Sequence, residues 1–557
     1  MAHSLRIVAY AVDGGGIGHL NRMVALSRWL RRYAAHMGRR AEIYVLTTSE
    51  ADGLLLTEKL AGFKLPSPTV AHDAGIDRLG YLAMAKQWVW HSLGLLRPDL
   101  LIVDTWPRGA FGELLSALDL CRRKAFIYRP VKDEVAASAD FQAMLPLYDR
   151  VLVPEEEGVV HVQVPKAAEA LVSYVGPVMV RERAEQHSRI EARDHLGVVG
   201  DRLAVYVSAG GGGDPGAEEH LLSVVTALCD DPSLHLVVGA GPLYRGRVLA
   251  GERITWLAHG GVSELMAAFD LAICGAGYNT FAELMHAGVP TIFVPQHKLA
   301  DDQAARAARA VAAGAAIVLG EGLLGSEVER AVADFRDPER RRQAGLAARR
   351  LVPENHARRA AAELLRLLVP ARDVDRAEAA IGDEVLRAAR DCRVGYQVFV
   401  DLMRALDTRD SGASVEEETS AGEVSELAVA LLRFITDRAL PVVTAVKLVA
   451  ALSQKLPRAL PAERAAAARR LLPELAAFND WTAATAFLRM INSERRLPAA
   501  ELAALIGDFL SRLRARREDL YRGIAYVSEA VSAGTYPAGI ADLPVTGTPD
   551  AFEAGTT

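Results

Sequence analysis

Residues 271–303 place an apolar run, Leu271-Ala272-Ile273-Cys274, directly before Gly275-Ala276-Gly277-Tyr278-Asn279. A short apolar run closed by glycines reads as a buried strand, and the stretch from about Thr280 to His286 reads as the helix that follows it. A second strand, Thr291 to Val294, follows Val289-Pro290, and the next turn carries Asp301, Asp302 and Gln303 at the mouth of another helix. Two successive strand ends therefore present polar groups at one edge of a parallel sheet, where open α/β sheets bind ligands. The first helix start adds unpaired backbone N–H groups and the positive end of a dipole, which together suit a phosphate. A plainer reading exists for the same residues. Thr280-x-x-Glu283 has the form of a capping box, and glycines after a strand can serve only to make a turn.

The beginning of the chain repeats this arrangement. Leu5 to Ala11 reads as a buried strand, then Gly14-Gly15-Gly16-Ile17-Gly18-His19 opens an amphipathic helix running to about Ala35. The dinucleotide fingerprint fails here because His19 stands where its third glycine belongs, so the loop is a ligand loop of another kind. Further strands are expected at Ala41–Thr47, Asp99–Val103 and Lys124–Tyr128, with Arg150–Val153 the last central one. Helices alternate with them, one of them over Gly109–Cys121, which predicts a parallel sheet covered on both faces. Residues 62–97 begin as a loop and move into a helix bearing Tyr81, Trp88, Trp90 and His91. These aromatics either pack on the sheet or form an acceptor- or membrane-facing lip.

Gly176-Pro177 marks a hinge. A second α/β unit follows, with strands expected at Leu203–Ser208, His235–Gly239, Ile254–Leu257 and Ala316–Leu319 besides the two already placed. Its first strand ends in Ala209-Gly210-Gly211-Gly212-Gly213-Asp214-Pro215-Gly216, where Gly211-x-Gly213-x-x-Gly216 matches the dinucleotide pattern formally. The next strand ends in Gly239-Ala240-Gly241 and lacks the acidic residue that NAD requires. Close backbone approach of Gly210, Gly211 and Gly212 to a diphosphate is the preferred reading.

The pieces GGGIGHLNR, DTWPRGAFGEL, YVSAGGGGD and GAGYNTFAEL…DDQ carry a resemblance over roughly residues 5–370. The last is similar to the donor-nucleotide signature of MurG-like glycosyltransferases, and more similar still to an uncharacterised branch of glycosyltransferases with GGYNT-type motifs. The resemblance implies the GT-B plan: an α/β protein of two Rossmann-like parallel-sheet domains facing a cleft. Residues 1–176 would form the acceptor domain and 177–370 the nucleotide-sugar donor domain. It implies that Glu283 grips the ribose hydroxyls, since an ionised acid accepts both protons. Gly277, Tyr278, Asn279 and Thr280 would line the diphosphate, Asp302 and Gln303 would bind the sugar, and Leu257 and Ala258 would touch the base through backbone groups. On the acceptor side it points to Gly15, Gly16, Gly18, Arg129 and Asp133, the last two suited to an anionic acceptor. His19 becomes the candidate general base, since a helix start disfavours imidazolium, with Asp104 orienting it or binding acceptor. Without the likeness, His19 reads as a packing or capping histidine and Asp104 as a helix cap.

No D-x-D stands at a strand end. Asp230-Asp231 precedes a strand and Asp301-Asp302 is adjacent, so neither a metal nor another cofactor is expected. Helix starts and amides of Gly210–Gly213 and Gly277–Thr280 would stabilise the leaving diphosphate instead. Retaining GT-B enzymes often carry two glutamates eight residues apart. Here Gly275 stands eight before Glu283, so inversion at the anomeric carbon is expected.

At 557 residues the chain is long enough for three domains. A net charge of -6 implies no nucleic-acid partner. Cys121, Cys229, Cys274 and Cys392 lack metal-ligand spacing and sit in apolar contexts, as buried thiols of a reducing compartment would. With no basic-then-apolar leader before Leu5 and no membrane-length apolar run, a cytoplasmic protein is expected, peripheral membrane contact remaining open. Residues 371–533 are rich in alanine, leucine and arginine with helical periodicity, Asp375–Leu406 reading as one long helix or a pair. They predict an all-α domain that docks a partner, serves as an acceptor-carrier platform or self-associates, before a disordered tail at 534–557. The acceptor stays open between a small molecule, a lipid-linked sugar and a protein. Two rivals share the residues: a nucleotide-sugar hydrolase or epimerase, suggested by a similar GIGH-x-x-R loop ending here in Arg22, and a non-catalytic glycan-binding or scaffold protein.

Overall fold

The glycine-closed apolar runs all become parallel strands. The computed structural model describes residues 4–12, 16–257, 262–298, 300–320, 322 and 325–382. Its first sheet comprises β1 (Leu5–Ala11), β2 (Ala41–Thr47), β3 (Ala61–Lys64), β4 (Leu100–Asp104), β5 (Arg123–Ile127), β6 (Arg150–Val153) and β7 (Val172–Tyr174), in the order β3-β2-β1-β4-β5-β6-β7. The second comprises β8 (Leu203–Ser208), β9 (Leu234–Gly239), β10 (Ile254–Leu257), β11 (Leu271–Cys274), β12 (Thr291–Phe293) and β13 (Ala316–Val318), in the order β10-β9-β8-β11-β12-β13. Each order reverses beside its first strand, β1 in one half and β8 in the other. That leaves a crevice at the carboxyl ends of β1 and β4, and another at those of β8 and β11. The central strands are buried on both faces, as sheets covered by crossover helices require.

Several expectations need correction. Strand β3 was read as loop: it is a mostly exposed edge strand with little apolar content to betray it. Strand β6 is the last central strand, as expected, but the three-residue β7 pairs beyond it as an edge that the sequence reading did not place. The helix expected over Gly109–Cys121 is absent. Gly109 and Gly112 take left-handed backbone, at φ +82 and +78, and Glu113 folds back to accept the N–H groups of Ala110 and Phe111. Only a 3-10 turn, Leu118–Leu120, remains there, so Asp104 caps no helix. The Thr280/Glu283 capping box does not form either: Gly277 is the N-cap of helix Tyr278–Ala287, no side chain caps it, and Glu283 lies in its interior. Tyr81 is buried and Trp88 lies tilted beside Tyr10, whereas Trp90 is half exposed. Cys121 and Cys274 are buried, but Cys229 is only partly so.

The chain crosses between halves at Gly176, whose φ of +85 and contact with the His356 ring leave no room for a side chain. Later the chain returns. Helices Ala357–Leu365 and Ala371–Ala380 pack on helix Gly18–His36 of the first half. A buried charge network joins the halves on this side. Arg28 pairs with Glu58 at 3.0 Å and with Glu185 at 2.5 Å, Arg181 pairs with Glu58 and, at 2.7 Å, Glu264, and Trp29 donates to Glu182 at 3.0 Å. The long helix expected over Asp375–Leu406 ends by Ile381 in its described part. The rest of the helical region, Cys392 and the 534–557 tail lie outside the described residues. No described helix is long and apolar enough to cross a membrane.

Candidate active site

At the exit of β1, helix Gly18–His36 begins without a side-chain cap, and His19 is its second residue. His19 and Arg22 are three apart and share a helix face, both turned toward the exit of β4. There the buried Asp104 receives them together. His19 Nδ1 lies 2.5 Å from Oδ2, Arg22 Nε donates to Oδ1 at 2.9 Å and Arg22 Nη2 to Oδ2 at 2.7 Å. Thr105 completes the cluster with a hydroxyl 3.1 Å from Oδ2. Its φ of +62 is uncommon and strained for a β-branched residue, a cost borne at the turn that presents Asp104. Burial alone would raise the Asp104 carboxyl, but Arg22 and His19 hold it well below the usual carboxylate range. An ionised carboxylate facing Nδ1 fixes that nitrogen as the donor of the pair.

The opposite edge meets this one directly. Asn279 Nδ2 donates to the Gly18 carbonyl at 3.1 Å, and a side chain on Gly211 would come within 3.3 Å of the Ile17 nitrogen. Arg22 lies 5.1 Å over the Tyr278 ring. Arg129 pairs with Asp301 at 2.5 Å, and Lys132 N–H reaches the Ala300 carbonyl at 3.0 Å. His19 and the helix bearing Glu283 therefore flank one crevice. Asn279 and Glu283 are one turn apart on the same helix face. Asn279 Oδ1 is buried without a partner, which in a native protein calls for an explanation such as a ligand donor.

On the donor edge, Gly210 and Gly212 have φ of +81 and +80, and a side chain at Gly212 would strike the Ala240 carbonyl, so the loop must be bare backbone. Glu283 is half-buried, and no hydrogen-bond donor reaches it among the described residues. Burial pushes its carboxyl up to about 7, against a lowering by Arg181. Gln303 is buried beside Gly275 and accepts the Gln296 N–H at 3.1 Å. Gly277 caps the donor helix and Thr280 lies in its first turn. Leu257 ends β10 half-buried. Gly16 stands at the crevice mouth before Gly18, while Gly15 and Ala258 lie outside the described residues.

Four candidates have partners within the protein. The Tyr278 hydroxyl donates to the Pro154 carbonyl and accepts the Val178 N–H at 3.2 Å, so its side chain fastens the interdomain crossing. Asp302 caps helix Gln303–Ala312 through the Ala305 N–H at 2.9 Å. Arg129 is held by Asp301, which also binds Arg306 at 2.9 Å. Asp133 is exposed at a short helix start, 3.2 Å from Gln163 Nε2. Sequence reasoning left Arg22, Thr105 and Asp301 out of the site. The three-residue spacing of His19 and Arg22 was a usable signal for the first. Among the described residues no group of three or more His, Cys, Asp or Glu side chains could hold a metal.

Residues 260–364 match the glycosyltransferase family 28 C-terminal domain. The chain is 31% identical over 192 residues to the UDP-N-acetylglucosamine–N-acetylmuramyl-(pentapeptide) pyrophosphoryl-undecaprenol N-acetylglucosamine transferase of Cutibacterium acnes, covering 33% of this chain and 50% of the relative. It is 28% identical over 338 residues to the enzyme of that name from Symbiobacterium thermophilum, covering 56% and 83%. The chain thus spans half the length of the first relative. Acinetobacter baumannii MurG aligns in structure with a TM-score of 0.42 and 15% identity, over 65% of this chain and 99% of that one. The chain is thus similar to the MurG-like glycosyltransferases, and its donor half carries a region that matches the glycosyltransferase family 28 C-terminal domain.

Proposed function

We propose that the protein transfers a sugar from a nucleoside-diphosphate sugar, with UDP as the nucleotide, to an acceptor hydroxyl. The observation that carries the reading is the Asn279–Gly18 bond, which sets the His19–Asp104 pair against an uncapped helix start on the donor edge. In the step, the acceptor oxygen bonds to the anomeric carbon while the bond from that carbon to the β-phosphate oxygen breaks. The electron pair stays on the diphosphate. The acceptor proton passes to His19 Nε2, Asp104 stabilising the imidazolium that forms. Attack from the His19 side, opposite the departing diphosphate, inverts the anomeric centre. Backbone N–H groups of Gly210–Gly213 and of the donor helix supply the leaving-group stabilisation that a metal supplies elsewhere. Glu283 holds the ribose hydroxyls, and Gln303 with Asp302 meets the sugar.

The relatives' names specify a UDP-N-acetylglucosamine donor and a lipid-linked acceptor. That makes UDP-N-acetylglucosamine the first donor to try and a polyprenyl-linked sugar the first acceptor. Thermal shift against UDP-, TDP- and GDP-sugars, followed by product anomer analysis, tests the reading. No stabilisation by any of them would overturn it. Rapid stoichiometric UDP release without acceptor would replace transfer by hydrolysis at the same site.

A further inference from the structure

One charged pair on the donor edge has no part in the scheme above. Lys298, on the loop after β12, gives its ammonium to the carboxylate of Asp214, on the glycine loop after β8. In the sheet, β11 lies between those two strands. Neighbouring strands are about 4.8 Å apart, so the pair bridges two strand spacings. It therefore spans the exit of β11, where Gly275-Ala276-Gly277 leads into a helix whose first turn no side chain caps. A pair needed only to fasten two loops has no reason to lie across the strand end at which an anion is expected.

The pair is also easily exchanged. The Lys298 and Asp214 side chains keep 28% and 29% of their exposure. Ion pairs this open to water are weakly held. A diphosphate offers the ammonium more negative charge than one carboxylate, and the uncapped N–H groups beside it would bind that same anion.

We propose that Lys298 is the cationic arm that binds the diphosphate of the nucleotide sugar, and that Asp214 holds it in place while the site is empty. This rests on the donor assignment above. As the bond to the anomeric carbon breaks, the ammonium faces the oxygen that keeps the electron pair, and Asp214 is released to solvent.

The two partners are expected to respond with opposite sign. Calorimetric titration of the full chain with UDP should show about 10- to 100-fold weaker binding in Lys298→Ala. Asp214→Asn should bind UDP as well as the wild type or a few fold better, because its lysine is already released. Uridine binding should change in neither variant. Should Lys298→Ala melt early, Lys298→Gln replaces it, and Lys298→Arg should restore most of the affinity. Equal weakening by the Lys298 and Asp214 variants would make the pair a structural tie and overturn the proposal. Inorganic pyrophosphate separates the two levels of the argument. If it binds the wild type and loses affinity in Lys298→Ala while UDP shows no preference over it, the arm stands and the nucleotide-sugar reading falls. If pyrophosphate binds both proteins equally, or neither, the arm falls.

Discussion

Replacing Glu283 by Gln should stabilise the protein and weaken nucleotide binding at the same time, and both effects should depend on pH. Burial raises this carboxyl from 4.5 to about 7. At pH 8 it is ionised in folded and unfolded chains alike, but the folded chain carries the cost of keeping a charge in a poor environment. One pKa unit corresponds to about 1.4 kcal/mol, so the 2.5 units between 4.5 and 7 set a ceiling of about 3.4 kcal/mol. The side chain is half-buried, and solvent screening reduces the expected figure to about 2 kcal/mol. The sign follows from linkage. Between the unfolded and folded pKa the native state binds more protons, so stability falls as pH rises from about 4.5 to 7 and is level above that. Glutamine carries no such cost. Glu283→Gln should therefore melt higher than wild type by about 4–8 °C at pH 8 if the donor half unfolds as one unit, and by much less at pH 5. Over the same range its UDP affinity should be lower by about 10-fold or more at pH 8, through loss of charge-assisted bonds to the ribose. Wild-type affinity should itself decline as pH drops below 7. Scanning calorimetry at four pH values, with UDP titration at each, measures both. A melting difference that stays constant with pH would refute the placement of an unpaired carboxyl at this point, and unchanged UDP affinity would refute its role.

Other predictions come from the opposite edge and the interdomain network. His19→Ala should fold normally yet lose about 10²- to 10⁴-fold in turnover, measured by coupled UDP release, and near-wild-type turnover would remove the base assignment. Glu185→Ala removes the carboxylate partner of Arg32 and leaves Arg28 with Glu58 alone, and should cost about 3 kcal/mol in urea melts, whereas a surface change such as Glu339→Ala should cost little. Arg28 and Arg32 outweigh burial and lower the Glu185 carboxyl to about 2, and Asp104 lies below its ordinary range too. Both therefore stabilise the fold fully above about pH 4, and that contribution should fall away progressively as pH drops below it, seen as a steep acid limb in the melting profile. Transfer should survive a chelator at full rate, and activity lost to EDTA and restored by a divalent ion would refute leaving-group stabilisation by amides alone.

The strands that position the site were legible because burial on both faces leaves a dense apolar signature. Leu203–Ser208 and Leu271–Cys274 occupy the positions their composition predicts. Ala61–Lys64 and Val172–Tyr174 were not found, because each is short and lies at a sheet edge, where pairing rather than burial decides the matter. The helix read into Gly109–Cys121 failed for a different reason. Its apolar spacing is helical, but Glu113 satisfies local N–H groups itself and takes the Tyr10 hydroxyl as well.

The site itself divides along similar lines. Residues that act through backbone or loop shape, such as Gly18, Gly211 and Gly277, were read from the sequence because strand-glycine-helix order is a local pattern. Residues that act through a partner far along the chain were not. Nothing local distinguishes Asp301 from Asp302, yet one latches Arg129 across the crevice, 172 positions away, while the other caps its own helix. The partners of Tyr278 were hidden for the same reason: it stands in the diphosphate motif, and its hydroxyl answers to Pro154 and Val178 in the crossing between the halves. The motif residue thus ties the donor loop to the hinge, and the Asn279 beside it ties the same loop to the His19 edge. A movement of one half against the other therefore strains this loop along with the charged links beside it, and the groups proposed to hold the diphosphate stand on a segment that would register such a movement.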